Sequence, residues 1–129
     1  MSRASAERSD DDLPKKMTKP ITYRIDKERL AVCEMIVGTT EFSSLSEMCS
    51  SCLREYKDFV LQCTISDLPT IDPIDDGVRK TAYISPRVHG ILSKLNMNDS
   101  DMMNAALKWY LLKKNVLQND GTYDIRNFK

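Results

Sequence analysis

The sequence predicts a mainly α fold with a small β-ribbon, a two-stranded antiparallel sheet lying on four helices. Three observations lead there. Two short segments alternate apolar and polar residues and each runs into a helix start; a long apolar stripe at helical spacing follows the first; and the pattern returns in the second half of the 129 residues.

Ile21-Thr22-Tyr23-Arg24-Ile25 puts Ile21, Tyr23 and Ile25 on one face and ends at Asp26, a good helix N-cap, so it reads as a strand feeding a helix. Leu30, Cys33 and Val37 fall at helical spacing until Gly38, with Thr39 and Thr40, ends that helix. A second helix begins at Ser44, whose spacing to Glu47 is that of a capping box. Its stripe runs from Leu45 through Met48, Cys49, Cys52, Leu53, Tyr56, Phe59 and Val60 to Cys63.

Thr81-Ala82-Tyr83-Ile84 is a second short strand, and Ser85-Pro86 is a capping residue followed by proline at the first helical position. The helix from Pro86 to about Asn96 is expected to bury Val88, Ile91, Leu92 and Leu95. Residues 46–56 align without a gap on residues 100–110, an offset of 54 (Ser46 to Ser100), whereas the strands match at an offset of 59 (Ile25 to Ile84). The second copy therefore has a first helix or turn shorter by five residues. One strand and two helices make too small a core to stand alone, so the two copies are expected to pair as an intramolecular pseudo-dimer.

Residues 1–17 read as a disordered tail, 18–63 as the first repeat, 64–77 as an acidic linker, 78–118 as the second repeat and 119–129 as a C-terminal extension of unknown docking. The connector can reach about 50 Å when extended, enough to return from one repeat to the start of the other.

Lys and Arg number 19 and Asp and Glu also 19, but this neutrality is partly a cancellation. Residues 15–30 hold six bases against Asp26 and Glu28, and residues 79–94 hold Arg79, Lys80, Arg87 and Lys94 with no acid. Between them, residues 64–78 carry four aspartates and no base. The two basic stretches are the local positive charge that a polyanion requires.

No run approaches the roughly 18 apolar residues of a membrane helix, and the first twenty residues hold no signal-peptide core, so a cytoplasmic protein is expected. The four cysteines, Cys33, Cys49, Cys52 and Cys63, then read as reduced thiols. Cys49-x-x-Cys52 raises a zinc site, but all four lie on apolar stripes and the second copy has Met103 and Ala106 instead, so core packing is the expectation and no metal is assigned. His89 is the only histidine and has no acid and nucleophile at useful spacing; with four glycines there is no phosphate loop either. No cofactor and no enzymatic activity are expected.

The order Ile21-Thr-Tyr-Arg-Ile-Asp, a helix, a short break and Phe42-Ser-Ser-Leu-Ser-Glu-Met-Cys-Ser-Ser-Cys-Leu-Arg resembles the ribbon-helix-helix family of prokaryotic DNA-binding proteins, the MetJ/Arc-like superfamily. The resemblance covers residues 19–61 and 78–115. The second copy departs from it in its shortened first helix and in Lys80, at a position where an apolar inward residue is expected.

The resemblance implies a sequence-specific binder of double-stranded DNA, a transcriptional regulator acting as a repressor and associated with the nucleoid. A two-stranded ribbon fits the major groove, where base pairs differ in their hydrogen-bonding edges. With the apolar residues inward, Thr22 and Arg24 of one strand and Arg79, Thr81 and Tyr83 of the other point outward as candidate base readers. Because these sets differ, the preferred site is expected to be asymmetric. The resemblance also implies a phosphate contact at the start of each second helix, where Ser43, Ser44, Asn98 and Ser100 fall, although ordinary capping explains the same residues. Lys15, Lys16 and Lys19 precede the first strand as a candidate backbone-following arm. Self-association of chains along DNA is left open by the sequence. Two other readings stay open: an accessory protein of plasmid transfer, and an antitoxin-type module whose long second helix or C-terminal extension covers a protein partner, a toxin bound by residues 115–129 being its sign.

Overall fold

Alternation in both short segments becomes a sheet. The computed structural model describes residues 17–39, 42–63, 73–74 and 76–127. The expected tail as far as residue 16, with Lys15 and Lys16, lies outside the described residues, as do most of the acidic linker and residues 128–129. The chain runs β1 (Lys19–Asp26), α1 (Lys27–Thr39), α2 (Leu45–Gln62), β2 (Gly77–Ile84), α3 (Pro86–Leu92) and α4 (Asp99–Lys113). Single 3-10 turns follow α3 at Ser93–Leu95 and close the chain at Ile125–Asn127.

β1 and β2 pair antiparallel, with Thr22 opposite Thr81, Arg24 opposite Arg79 and Tyr23 opposite Lys80. Ile21, Tyr23, Ile25, Ala82 and Ile84 are buried against the helices, and Thr22, Arg24, Arg79 and Thr81 are exposed on the opposite face. This is the inward and outward assignment that the alternation predicts. The strands are longer than the alternating cores alone suggest, because pairing extends to Lys19↔Ile84 and Asp26↔Gly77.

Asp26 starts α1 by accepting the N–H groups of Glu28 at 3.0 Å and Arg29 at 3.3 Å. The buried face of α1 corrects the sequence expectation: it is Val32, Cys33 and Ile36, while Leu30 and Val37 sit half-buried at its flanks. Apolar residues occur on nearly every side of this helix, so spacing alone does not select a face. Gly38 does not end it; α1 runs one residue further, to Thr39, whose Oγ1 donates to the Ile36 carbonyl at 3.1 Å.

At the start of α2, Ser44 Oγ accepts the Glu47 N–H at 3.1 Å. The return half of the capping box differs from expectation, because the Glu47 carboxylate takes the N–H and the hydroxyl of Ser43, one residue before the cap. Those two hydrogen bonds hold the Glu47 carboxyl below the usual carboxylate range. The stripe of α2 is buried at Met48, Cys49, Cys52, Leu53 and Tyr56, and half-buried at Leu45, Phe59 and Val60.

Ser85 caps α3 through its Oγ, which accepts the Val88 N–H at 3.2 Å, with Pro86 in the first turn. The helix predicted to reach Asn96 is instead seven residues, followed by the 3-10 turn and Asn96 in the left-handed region at φ 60°. Val88 and Leu92 are buried, while Ile91 in α3 and Leu95 in the 3-10 turn are only partly covered.

The core lies between the ribbon and the helices, and it crosses the halves. α4 packs on β1, α2 packs on β2, and α2 and α4 pack on each other. Tyr56, Phe59 and Trp109 form an aromatic group with centroids 5.2 to 6.2 Å apart. Beyond α4, Asn115 adopts φ 61° and the chain turns back. Val116 and Leu117 are buried, Gln118 N–H bonds the Thr122 carbonyl at 2.8 Å, and Asp124 N–H bonds the Val116 carbonyl at 2.7 Å. Tyr123 Oη then accepts from Arg29 Nε at 2.8 Å, which docks this hairpin on α1.

Among the described residues, no helix is long and apolar enough to cross a membrane.

Candidate nucleic-acid interface

The outward face of the ribbon carries three cross-strand pairs in a row: Pro20↔Tyr83, Thr22↔Thr81 and Arg24↔Arg79. Pro20, Thr22, Thr81, Arg24 and Arg79 are exposed, and Tyr83 is half-buried. Lys19 is exposed at the start of β1. Four of the ten sequence-predicted site residues thus share one exposed face with Tyr83 at its edge: Thr22, Arg24, Arg79 and Thr81; Lys19, opposite the buried Ile84, is exposed at the strand end with the parity of the inward set.

Arg24 turns its backbone away from β2. Its N–H donates to Ser100 Oγ at 3.0 Å, and its carbonyl accepts from Asn104 Nδ2 at 2.7 Å. Arg24↔Arg79 is therefore a pair without mutual hydrogen bonds, the kind in which Cα atoms approach to about 4.5 Å and side chains stand close. Two guanidinium groups directly opposite each other repel. Among the described residues, neither side chain has a hydrogen-bonded or ion-paired partner. The nearby carboxylates are engaged elsewhere: Asp26 caps α1, and Asp76 lies 3.3 Å from Lys27 Nζ. The guanidinium of Arg24 lies over Gly77, where an added Cβ would come within 3.2 Å of Nε and 3.3 Å of Nη2.

Both free edges of the ribbon are held by helices. On the β1 edge, Asn104 and Ser100 of α4 engage Arg24, with Asn104 Nδ2 also donating to the Ser100 carbonyl at 2.8 Å. On the β2 edge, Ser50 Oγ of α2 donates to the Tyr83 carbonyl at 2.7 Å. Ser50 and Asn104 are related by the helix offset of 54, and Arg24 and Tyr83 by the strand offset of 59. Equivalent residues thus make equivalent bonds, each from the second helix of one half to the strand of the other. Sequence reasoning missed Ser50, Asn104 and Gly77. A polar side chain at matched places in two apolar stripes was the available signal for the first two.

The four helix-start residues are engaged in local structure. Ser43 bonds Glu47, Ser44 caps α2, Asn98 Oδ1 accepts the Asp101 N–H at 2.8 Å, and Ser100 holds β1. Glu47 in α2, and Asp99 and Asp101 in α4, place carboxylates in the first turns, where they complement the helix dipole and oppose an added anion. His89 Nε2 lies 2.9 Å from Asp99 Oδ1. The ribbon face, not the helix starts, is the open cationic surface.

Comparison with known protein families, curated proteins and solved structures returned no match. The site therefore stands on its own geometry.

The cysteines lie in the core. Cys33, Cys49 and Cys52 are buried, and Cys49 Sγ sits 3.2 Å from the Tyr23 hydroxyl. Among the described residues, no three metal-ligating side chains are grouped to hold an ion. Burial pushes the Cys33 thiol up to about 12 and the Cys49 thiol up to about 11, and raises Cys52 as well. Since the thiolate is the nucleophile, iodoacetamide at pH 8 is expected to modify the half-buried Cys63 well before the other three. Peptide mass spectrometry checks this; four equal rates would contradict the core placement.

The C-terminal extension lies, as far as residue 127, against the chain's own α1 through Tyr123 and neighbouring residues.

Proposed function

We propose that this chain is a sequence-specific double-stranded DNA-binding protein of the ribbon-helix-helix kind, a transcriptional regulator whose two repeats form an intramolecular pseudo-dimer. The ribbon enters the major groove. Arg24 and Arg79 meet the acceptor edges of guanines, Thr22 and Thr81 supply hydroxyls and methyls at the centre, and Tyr83 and Lys19 contact the far end. Ser43, Ser44, Asn98 and Ser100 shape the α2 and α4 starts beside the ribbon, where the first-turn acids leave the phosphate contacts to the cationic ribbon face.

The observation that carries the reading is the facing Arg24 and Arg79 pair on an exposed ribbon, neither side chain hydrogen-bonded or ion-paired among the described residues. Such a pair is unfavourable by itself and becomes favourable when an array of acceptors and phosphates covers it. The matched Ser50 and Asn104 bonds support the pseudo-dimer, because they are the contacts a two-fold pair of repeats would exchange.

Enrichment of duplexes from a random pool, repeated at two salt concentrations, tests the proposal. A defined sequence should emerge, and affinity should fall steeply with salt as counterions are displaced. Salt-insensitive binding, or a pool that stays random, would sink it. Nucleoid association in cells follows from the same activity.

A further inference from the structure

We infer that the reading face is polar along its length, with guanine recognition at the Gly77 end and a pyrimidine-rich, thymine-favouring contact at the Pro20 end. The inference rests on the DNA-reading proposal and concerns the class of site that face selects.

The register fixes where the approximate two-fold axis of the ribbon falls. Thr22 and Thr81 are equivalent residues of the two repeats at the strand offset of 59, and they are also each other's cross-strand partners. A residue paired with its own equivalent lies on the axis, so the axis passes between the two threonines. It exchanges Arg24 with Tyr83 and Arg79 with Pro20. The pair Arg24↔Arg79 on one side thus corresponds to Tyr83↔Pro20 on the other.

The two ends differ in chemistry. At the Gly77 end, two guanidinium groups stand on the open face, and the Arg24 fork lies over Gly77 at the strand end, away from the axis, where an added Cβ would meet Ile74 Cγ2 at 2.8 Å and Arg24 Nε at 3.2 Å. Guanidinium forks match the O6 and N7 acceptors of guanine. At the Pro20 end, the exposed pyrrolidine and the half-buried phenol ring present apolar surface without a guanidinium. Apolar contact suits the thymine methyl group. Only the central threonines are alike across the axis.

Selection with the full chain, on complexes holding one chain per duplex, tests this. Guanine preference should be confined to one half of the enriched site and thymine to the other. Arg24→Ala should lose about tenfold to a hundredfold in preference on the guanine side and leave the thymine side unchanged. The double variant Pro20→Arg/Tyr83→Arg makes the ends alike, and its selected site should become a palindrome with guanines in both halves. Circular dichroism on each variant separates lost folding from changed reading. A palindromic site for the parent chain, or an unchanged asymmetric site for the double variant, overturns the polarity while DNA reading stands. No enriched sequence and no salt-dependent binding by the parent chain overturns both.

Discussion

Replacing Arg24 and Arg79 together by alanine is expected to cost less than the about 2–6 kcal/mol of DNA affinity that two bidentate guanine contacts of about 1–3 kcal/mol each sum to. The two sites face each other across the ribbon, so the losses should couple and the double change should fall short of the summed singles. The slope of affinity against salt should flatten as well, because less positive charge then displaces counterions. Stability should move the other way. Removing two facing cations relieves a repulsion of roughly 0.2–1 kcal/mol, and the gain should shrink at high salt as screening takes over. Urea titrations and binding isotherms at two ionic strengths read both effects. Loss of affinity with loss of stability would mean that the arginines support the fold and do not read bases.

The second large effect lies at Asn104. Its side chain is buried, and Nδ2 holds the carbonyls of Arg24 and Ser100 at 2.7 and 2.8 Å. Asn104→Ala leaves both acceptors under-bonded in a part-buried setting, which costs about 1–3 kcal/mol. Ser50→Ala removes only one bond, on the other edge, and should cost about 0.5–1.5 kcal/mol. Because α4 packs on β1 and α2 on β2, neither half keeps its core if the other opens, and urea should unfold both in one transition. An Asn104→Ala protein as stable as the parent, or two separated transitions, would contradict the crossed packing. Any loss of DNA affinity in Asn104→Ala should track the displaced β1 edge, not a missing base contact.

Much of this was legible in advance. Strict alternation over residues 21–25 and 81–84 placed the apolar set inward and Thr22, Arg24, Arg79 and Thr81 outward, with Tyr83 of the outward set half-buried, because a period of two leaves no choice of face once one side is apolar. The Asp26, Ser44 and Ser85 caps were legible because each is a local hydrogen bond between neighbours in the chain. The α1 face was not, since apolar groups surround that helix. The return of residues 116–127 onto α1 was not either, because it depends on a left-handed turn at Asn115 and on the Arg29 to Tyr123 bond, 94 residues apart. Lys57, buried on α2 with Nζ 2.7 Å from Asp58 Oδ1, carried no signal distinguishing it from a solvated lysine. Within the site, the paired guanidinium groups became visible only once register set Arg24 opposite Arg79, a fact of tertiary pairing that neither strand contains alone.

Closing the ribbon within a single polypeptide alters dose response. A reading head assembled from two separate molecules falls apart on dilution, so its occupancy of a site varies with the square of protein abundance at low copy number. Under the proposed function, and with one chain per site, assembly is first-order, and occupancy should follow a simple hyperbola down to a few molecules per cell. Such a protein would respond in proportion to its synthesis, without a threshold.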